Sequence, residues 1–389
     1  MKKLLIVNNN MRVGGVQKSL YNLLWSLDYT EYEVTLLLFS KTGVYLDALP
    51  DTLRVIESGG PFRYLGKSQG ECKGRESLFR SVPATVARLL GRGVALRMMR
   101  WCQPKLKERF DCAVSFLQNG REKSFYGGVQ DYVLDCVEAD RKVAFLHCDY
   151  QKCGANQPKN NRMMERFDVI AACSEGCRRS FVAALPHLAE RCVTVPNCHR
   201  FDEIQTMAAE NPVSYPQEGI QVVSVARLTH EKGLDRALRS LATARDRGLP
   251  ITLHLVGDGP MRSGLEALAK ELGVADAVVF HGEQANPYRC MRHADLLLMT
   301  SYHEAAPMVI DEARCLCLPV LTTATTSSEE MVVQAGAGWV CDNTQEALDE
   351  ALCRVAADPE GRQRVREHLA RHPADNRTAL TGFRQAVGG

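Results

Sequence analysis

Short apolar segments alternate with helix-length segments along the whole chain, and this alternation restricts the fold more than any other feature. Strands that are apolar along their full length are typical of parallel sheets covered by helices on both faces. In the first half, the candidate strands are residues 3–7, 33–39, 54–56, 112–116, 142–147, 169–173 and 193–196. In the second half, they are residues 221–226, 251–256, 277–281, 296–301, 320–323 and 338–341. The alternation therefore predicts the α/β class with doubly wound parallel sheets.

The two sets of strands are separated by a polar segment at residues 196–219, which contains Pro212 and Pro216. Such a segment is typical of a linker, and we expect a linker helix within it. A chain of 389 residues is long enough for two or three domains with separate cores. We therefore predict one domain at residues 1–198 and a second at residues 199–375.

Composition predicts a soluble protein in a reducing compartment. Hydrophobic residues make up 45% and charged residues 24%, as in ordinary soluble domains. No apolar run approaches the ~20 residues that span a bilayer. The apolar start is followed by Asn8 and two further asparagines, so it predicts a first strand and no secretion signal. Fifteen cysteines, an odd number without a small-domain framework, predict cytoplasmic thiols.

The cysteines also allow a metal-site alternative. His147, Cys148, Cys153, Cys173 and Cys177 could together supply four ligands to zinc. However, Cys173 ends a predicted strand, and the paired C-x-x-C spacings of a structural zinc site are missing. We therefore prefer buried or unused thiols and predict no metal.

Charge is unevenly distributed along the chain. Residues 1–200 contain 30 Lys+Arg and 20 Asp+Glu, and residues 201–389 contain 18 and 26. Much of the excess lies in residues 73–109, where only Glu76 and Glu108 oppose ten basic residues. These are Lys73, Arg75, Arg80, Arg88, Arg92, Arg97, Arg100, Lys105, Lys107 and Arg109.

Apolar residues, including Trp101, are interleaved with these basic residues. A basic amphipathic segment of this kind is typical of attachment to an anionic membrane surface. The alternative is a helical hairpin that packs its apolar side on the sheet and leaves its arginines in solvent. No recognised nucleic-acid-binding module accompanies the charge, so nucleic acid is not a predicted partner.

Glu304 and Glu312 follow the predicted strand at residues 296–301. Pro307 is expected in the first turn of a helix, which places Glu304 in the preceding loop and Glu312 in the second turn. Free N–H groups at a helix start can hold an anion, and carboxylates can accept hydrogen bonds from hydroxyls. A ligand with a phosphate and sugar hydroxyls would bind the N–H groups through its phosphate and the carboxylates through its hydroxyls. Two solvated glutamates are the alternative.

Four motifs between residues 220 and 340 occur in the order of the retaining glycosyltransferase family 4, which this chain resembles. They are Arg227…Lys232-Gly233, the turn Val256-Gly257-Asp258-Gly259-Pro260, the stretch Phe280…Tyr288 and the pair Glu304…Glu312. Near the start, Gly14-Gly15 resembles the family's glycine loop. The resemblance implies a GT-B fold of two Rossmann-like domains facing across a cleft. It also implies that a last helix, at residues 376–389, crosses back to the first domain; a frayed tail is the alternative.

The resemblance implies a hexosyltransferase that takes sugar from a nucleotide diphosphate sugar, expected to be a UDP-sugar, with retention of configuration. Arg227 and Lys232 would stabilise the leaving diphosphate. Glu304 would bind the transferred sugar, and Glu312 the ribose. His147 would lie near the donor sugar, although a structural histidine is the alternative. Further donor-binding residues would be Gly14, Gly15, Glu283, Ala305, Ala306, Pro307, Met308 and Val309.

No Asp-x-Asp motif ends an apolar strand, so the usual carboxylate platform for a metal–diphosphate complex is not predicted. We expect a metal-independent enzyme without a cofactor. A UDP-sugar epimerase of the same fold and a non-catalytic GT-B partner subunit remain alternatives. A dinucleotide-dependent dehydrogenase fits poorly, because Gly257-x-Gly259 is not followed by the third glycine of the G-x-G-x-x-G motif.

The N-terminal pattern from Gly14 to Pro50 resembles bacterial transferases of capsule, exopolysaccharide or lipopolysaccharide assembly. It implies a lipid-linked saccharide acceptor and a cytoplasmic enzyme, peripheral on the inner face of the cell membrane. Two residues depart from the family pattern. Ala305 stands where glycine is common and would be strained at a positive φ. Cys198 replaces the glycine of a Pro-Asn-Gly segment, so the hinge geometry is expected to differ.

Overall fold

The computed structural model describes residues 1–67, 69–120, 125, 127–215 and 218–389. Pro216, part of the predicted linker, lies outside these residues. The chain divides into two units, Met1–Cys198 with Asn376–Gly389, and His199–Asp375. These boundaries coincide with the domain limits expected from the sequence. The expected linker helix is present at Phe201–Ala209.

The sheet of the first unit contains, within the described residues, seven parallel strands. They are β1 (Lys2–Asn8), β2 (Tyr32–Leu38), β3 (Arg54–Glu57), β4 (Arg109–Ser115), β5 (Glu138–Leu146), β6 (Val169–Ala172) and β7 (Cys192–Thr194). Their spatial order is β3-β2-β1-β4-β5-β6-β7. The helices that follow these strands are α1 (Gly15–Ser26), α2 (Arg75–Leu90), α3 (Arg92–Trp101), α4 (Val129–Cys136), α5 (Pro158–Met164) and α6 (Glu175–Ala184). Burial of the interior strand β1 on both faces explains its apolar run from Leu4 to Val7.

The sheet of the second unit is also parallel and has six strands in the described ranges. They are β8 (Ile220–Val225), β9 (Ile251–Val256), β10 (Val278–Gly282), β11 (Leu296–Met299), β12 (Val320–Thr323) and β13 (Gly338–Cys341). Their order is β10-β9-β8-β11-β12-β13. The helices are α7 (Phe201–Ala209), α8 (Leu234–Asp246), α9 (Arg262–Glu271), α10 (Tyr288–Met291), α11 (Met308–Cys315), α12 (Gln345–Ala356) and α13 (Pro359–Arg371).

The last helix, α14 (Arg377–Val387), belongs to the first unit. Phe383 is fully buried in the core of that unit, with its ring 6.2 Å from that of Phe145. The Arg141 guanidinium donates a 2.8 Å hydrogen bond to the carbonyl of Ala386. The frayed-tail alternative is therefore wrong, because the apolar face of this helix completes the core.

Seven strands end one or two residues earlier than predicted, and two of these differences concern the site. β5 ends at Leu146 and β11 at Met299, so His147 and Ser301 lie in the loops that follow the strands. Conversely, β4 and β5 begin several residues before their apolar runs, because polar residues such as Arg109 and Glu138 still pair through their backbones. Backbone pairing does not require an apolar side chain, so apolar runs alone set these limits imperfectly.

The basic segment forms the helices α2 and α3, and its apolar residues fall into two groups. Ala87, Leu96 and Met99 are buried. The exposed group comprises Leu78, Phe79, Val82, Leu89, Leu90, Val94, Met98 and Trp101. Packing on the sheet therefore accounts for only part of the apolar surface, and Trp101 remains 95% exposed.

Across the described ranges, no helix has the length and apolar character needed to span a membrane.

Candidate functional site

The loop after β8 carries Arg227 and is held against the turn that follows β9. The N–H of Leu228 donates a 3.0 Å hydrogen bond to the carbonyl of Asp258. A Cβ on Gly257 would lie 2.0 Å from a carbonyl oxygen of the first loop, and one on Gly259 would lie 2.5 Å from another. Both positions therefore require glycine, which explains the Gly-Asp-Gly turn structurally.

A second pair of contacts joins Lys232-Gly233 to the end of β11. The hydroxyl of Thr300 donates to the carbonyls of Lys232, at 3.1 Å, and Gly233, at 2.8 Å. Gly233 has a φ of 60°, and a Cβ there would lie 2.3 Å from the Thr300 carbonyl oxygen. These contacts bring the loop of Lys232 beside the loop of Glu304.

Lys232 and Glu304 form an ion pair, with 2.5 Å between Nζ and Oε1. The hydroxyl of Ser301 donates a 2.9 Å hydrogen bond to the same carboxylate oxygen. The two charged side chains are only 22% and 14% exposed. The fold thus orients both groups at the carboxyl ends of neighbouring strands, where open parallel sheets bind ligands.

Glu312 lies in the second turn of α11, as predicted, and it is buried. The hydroxyl of Tyr288 donates a 3.2 Å hydrogen bond to its Oε1. Tyr288 belongs to the predicted Phe280…Tyr288 stretch, so two of the four motifs meet here. Because an ionised carboxylate has about four acceptor positions, accepting from Tyr288 does not by itself prevent it from accepting from ligand hydroxyls. The ribose-binding role stays a prediction.

Pro307 was expected in the first turn of α11, but it lies one residue before the helix. Its ψ of 118° is extended, so the helix begins at Met308. Helix geometry provides no intrahelical acceptor for the first N–H groups, which include those of Met308 and Val309. Such groups can bind an anion, and the predicted donor-binding role of this turn is compatible with the geometry.

The two departures from the family pattern are accommodated without backbone strain. Among the described non-glycine residues, positive φ values occur only at Asn211 and Cys317. Ala305 therefore does not have the positive φ at which strain is expected, and neither does the adjoining Ala306. Cys198 is buried, and its carbonyl accepts a 2.9 Å hydrogen bond from the side chain of Asn22 on α1.

The N-terminal glycines open α1, and the fold itself does not demand glycine at either position. Gly14 has an extended φ of 170°, which any residue can adopt, and its carbonyl accepts from the N–H of Lys18 at 2.9 Å. A Cβ on Gly15 would have no neighbour within 4 Å. Open space at a helix start suits the predicted approach of a diphosphate, a role that stays a prediction.

His147 follows β5 and is packed among aromatic rings. Its imidazole centroid lies 4.8 Å from that of Phe116 and 5.8 Å from that of Phe145. Burial lowers the pKa of His147 to about 4, so the ring is neutral near pH 7. Nε2 is buried without a hydrogen-bond partner in the described part of the chain. A neutral ring cannot act as a fixed cation, and the place of His147 near the donor sugar stays a prediction.

Arg227 and Glu283, unlike Lys232 and Glu304, are exposed. The Arg227 side chain is 76% exposed and lies 3.8 Å from the carboxylate of Glu231. Glu283 is exposed in the loop after β10. The structure therefore brings Lys232 and Glu304 together, while Arg227 and Glu283 remain in solvent-facing loops.

Two supporting residues were missed by the sequence analysis. Arg236 is buried, donates a 2.6 Å hydrogen bond to Asn343 and lies 4.8 Å from the Tyr302 ring. Asn343 in turn donates to the carbonyl of Tyr302 at 3.1 Å. Together they fix the loop that leads to Glu304. The available signal was a cation at an otherwise apolar position of α8, between Gly233 and Ala237.

The cysteines of the zinc alternative lie close together in two pairs. Sγ atoms lie 2.8 Å apart in Cys148 and Cys153, and 3.8 Å apart in Cys173 and Cys177. For the described residues, no group of three or more His, Cys, Asp or Glu side chains is placed to hold a metal ion. The zinc alternative therefore lacks geometric support.

Residues 209–371 match the family described as glycosyl transferases group 1. Over 193 residues the chain is 42% identical to 2-deoxystreptamine glucosyltransferase from Streptomyces kanamyceticus, covering 49% of this chain and 46% of that protein. Over 146 residues it is 36% identical to lipopolysaccharide glucosyltransferase WaaG from Escherichia coli K12, covering 37% of this chain and 39% of that protein. The matches span less than half the length of these curated relatives.

Similarity to solved structures extends over the whole chain. HepE from Anabaena, crystallised with UDP and glucose, aligns with 100% of both chains at a TM-score of 0.68 and 18% identity. At that identity the likeness concerns the fold. The predicted α/β class, with its two parallel sheets, is confirmed. Residues 209–371 of the chain therefore match the glycosyl transferases group 1 family, and the whole chain has the GT-B fold.

Proposed function

We propose that this protein is a retaining glycosyltransferase that moves sugar from a UDP-sugar to a lipid-linked saccharide in bacterial surface polysaccharide assembly. The observation that carries the proposal is the ion pair of Lys232 and Glu304, built at two strand ends inside the region matched to the family. The names of the relatives support it: WaaG is a lipopolysaccharide glucosyltransferase, and HepE was crystallised with UDP and glucose.

The chemistry follows from the charges at the strand ends. When the bond between sugar and diphosphate breaks, negative charge grows on the leaving phosphate. A cation held in place, such as Lys232, favours that state over the ground state. Glu304 then accepts hydrogen bonds from sugar hydroxyls. In the family that the chain resembles, the leaving phosphate takes the acceptor proton, so no carboxylate nucleophile is required.

The proposed reaction is metal-independent. Lys232 supplies fixed positive charge, and the N-terminal N–H groups of α11 supply further donors for phosphate oxygens. Calorimetric titration with UDP and UDP-sugars in EDTA tests this directly. We expect dissociation constants well below 1 mM; affinity no better than 1 mM, about −4 kcal/mol, would reject the donor assignment.

Product analysis separates the enzyme alternatives. A retaining transferase releases UDP and forms an α-linked product from an α-linked donor. An epimerase would change the sugar without net transfer, and a non-catalytic partner subunit would do neither. NMR of the anomeric proton during turnover distinguishes all three outcomes.

Glu312→Ala is expected to weaken UDP binding about 10–100-fold, because hydrogen bonds to a charged group contribute ~1.5–3 kcal/mol. Glu312→Gln should lose less, since its amide oxygen can still accept from Tyr288. Glu271→Ala, an exposed glutamate on α9, is the matched control and should bind UDP normally. Wild-type affinity in Glu312→Ala would exclude Glu312 from the nucleotide site.

Peripheral attachment to the cytoplasmic membrane face belongs to the same proposal. Arg75 and Arg88 of α2 are exposed, as are Leu89 and Trp101. Arg92 is only 5% exposed, so it is a poor candidate for lipid contact. Charge and apolar area on adjacent helices suit an anionic lipid surface.

Vesicle flotation tests the attachment. Wild-type protein is expected to float with phosphatidylglycerol vesicles and not with neutral ones. Arg75→Glu with Arg88→Glu should weaken binding, since each basic residue contributes ~1 kcal/mol at an anionic surface. The matched control, Arg239→Glu with Lys270→Glu, reverses two exposed cations of the second unit. Equal recovery from both lipid types, or equal loss in both variants, would contradict attachment through α2 and α3.

A further inference from the structure

A cavity of about 300 Å³ in the first unit is lined mainly by α3, α4 and the α5 region. Its described lining contains six cationic side chains: Arg92, Arg97, Arg100, Lys159, Arg162 and Arg166. The carboxylates of the lining are those of Asp131 and Asp135. The described lining thus has a formal charge of +4, concentrated in one concave surface.

Both carboxylates are already engaged by neighbouring groups. Asp135 accepts from Arg100 at 2.5 Å and from Arg166 at 2.8 Å. Burial acts to raise the pKa of Asp135, but the hydrogen bonds from the two guanidinium groups hold it below its usual value. Asp131 accepts a 2.8 Å hydrogen bond from Asn119. Arg97 and Arg162 form no ion pair within the part of the chain that the structure describes, so their charges remain available to an anion.

The convergence of these cations is built into the packing. Arg92 is 5% exposed and donates a 2.7 Å hydrogen bond to Asn160 and a 3.1 Å hydrogen bond to the carbonyl of Gly120. A Cβ on Gly93 would lie 2.6 Å from Nζ of Lys159, so glycine lets that ammonium group approach α3. Like charges that serve only solubility are normally spread over solvated faces, because their convergence destabilises the folded state.

We propose that this cavity binds a phosphate-class dianion, a phosphomonoester or a diphosphate. Guanidinium groups match phosphate oxygens through paired, charge-assisted hydrogen bonds. The cavity volume lies at the lower end of the range for small-molecule sites, which suits a phosphate group with little attached to it. None of the lining residues belongs to the donor-site motifs, so this site is additional to the nucleotide site.

The source of the phosphate is either a lipid or a soluble molecule. α3 places Arg97 in the cavity lining, while Val94, Met98 and Trp101 on the same helix are exposed apolar residues. A phosphorylated headgroup at a membrane surface and a free phosphorylated saccharide both provide the required dianion. The idea that the dianion is part of the acceptor saccharide rests on the proposed function. The proposal that the cavity binds phosphate does not depend on it.

Calorimetry with inorganic pyrophosphate tests the site, with saturating UDP present to occupy the donor site. We expect binding to the wild type, weakened about 100-fold in Arg97→Ala with Arg162→Ala, or roughly tenfold for each guanidinium. Both side chains are exposed, so the double variant should fold, and a thermal melt checks this. Arg88→Ala, on the neighbouring helix but outside the lining, is the control and should bind normally.

No binding of pyrophosphate by the wild type, or equal affinity in the wild type and the double variant, overturns the proposal. If UDP fails to bind, the proposed transferase function is contradicted, yet the same titration without UDP still decides whether the cavity binds pyrophosphate.

In a second arm, vesicles of phosphatidic acid and phosphatidylglycerol are compared at equal net charge. A preference for the phosphomonoester lipid that the double variant loses supports the proposal and assigns a lipid source. Pyrophosphate binding without that preference supports a soluble phosphate.

Discussion

Lys232→Ala is expected to lower the turnover of sugar transfer about 100–1,000-fold, or ~2.7–4 kcal/mol in the activation barrier. The ammonium group lies 2.5 Å from Glu304 and is largely shielded from water. In the proposed reaction its charge would therefore act on the leaving phosphate without rearrangement. Removing it also leaves a half-buried carboxylate without its cation. The measurement is kcat with a UDP-sugar and an acceptor saccharide, together with the dissociation constant of UDP.

Three variants identify the cause of that loss. Lys232→Arg keeps the charge and should recover part of the turnover. Glu304→Gln keeps an oxygen that can accept from Ser301 and should impair the sugar-dependent step more than UDP binding. Arg239→Ala removes an exposed cation from the adjoining helix α8 and should be neutral. Turnover of Lys232→Ala within about threefold of wild type would remove Lys232 from the site.

Phe383→Ala is expected to lower the free energy of unfolding of the first unit by ~3–5 kcal/mol. The ring is fully buried against Phe145 in a core that otherwise comes from the N-terminal half of the chain. Because the chain has two units, a single melting curve would mix their transitions. Hydrogen exchange followed by mass spectrometry resolves peptides of each unit and should show faster exchange in the first.

Gln385→Ala is the matched control for Phe383→Ala, because it lies on the same helix and is exposed. Its effect should stay within ±0.5 kcal/mol, as for other surface substitutions. A change below about 1 kcal/mol in Phe383→Ala would mean that α14 is not part of the folded core of the first unit.

Much of the fold follows from the local pattern of the sequence. The limits of β9 and β12 are those of their apolar runs, Ile251–Val256 and Val320–Thr323, because each run stops at residues that favour a turn or loop. The family resemblance implied the last helix, α14, and Leu380, Phe383 and Val387 stand at helical spacing on its apolar face. Apolar runs and helical spacing depend only on nearby residues, so a single sequence is enough to detect them.

The candidate site could be predicted from the sequence only in part. The motif spacing identified Lys232 and Glu304 separately, but these residues are 72 positions apart, and nothing local shows that their side chains meet. The unexpected position of Pro307 and the ordinary backbone at Ala305 likewise depend on how the loop after β11 is held. From the sequence, His147 is either a residue near the donor sugar or a structural residue, and only its burial among aromatic rings shows that it is neutral near pH 7.

The sequence by itself determined the α/β class, the order of strands and helices, the motif residues and the excess of basic residues in α2 and α3. The tertiary structure alone decided which charges converge. Arg97 and Arg162 come from helices distant in sequence, and the close approach of Lys159 to Gly93 depends on how those helices pack. The physical reason is that periodicity reports which face of an element is buried, whereas electrostatic interaction depends on distances between elements, which local sequence does not encode.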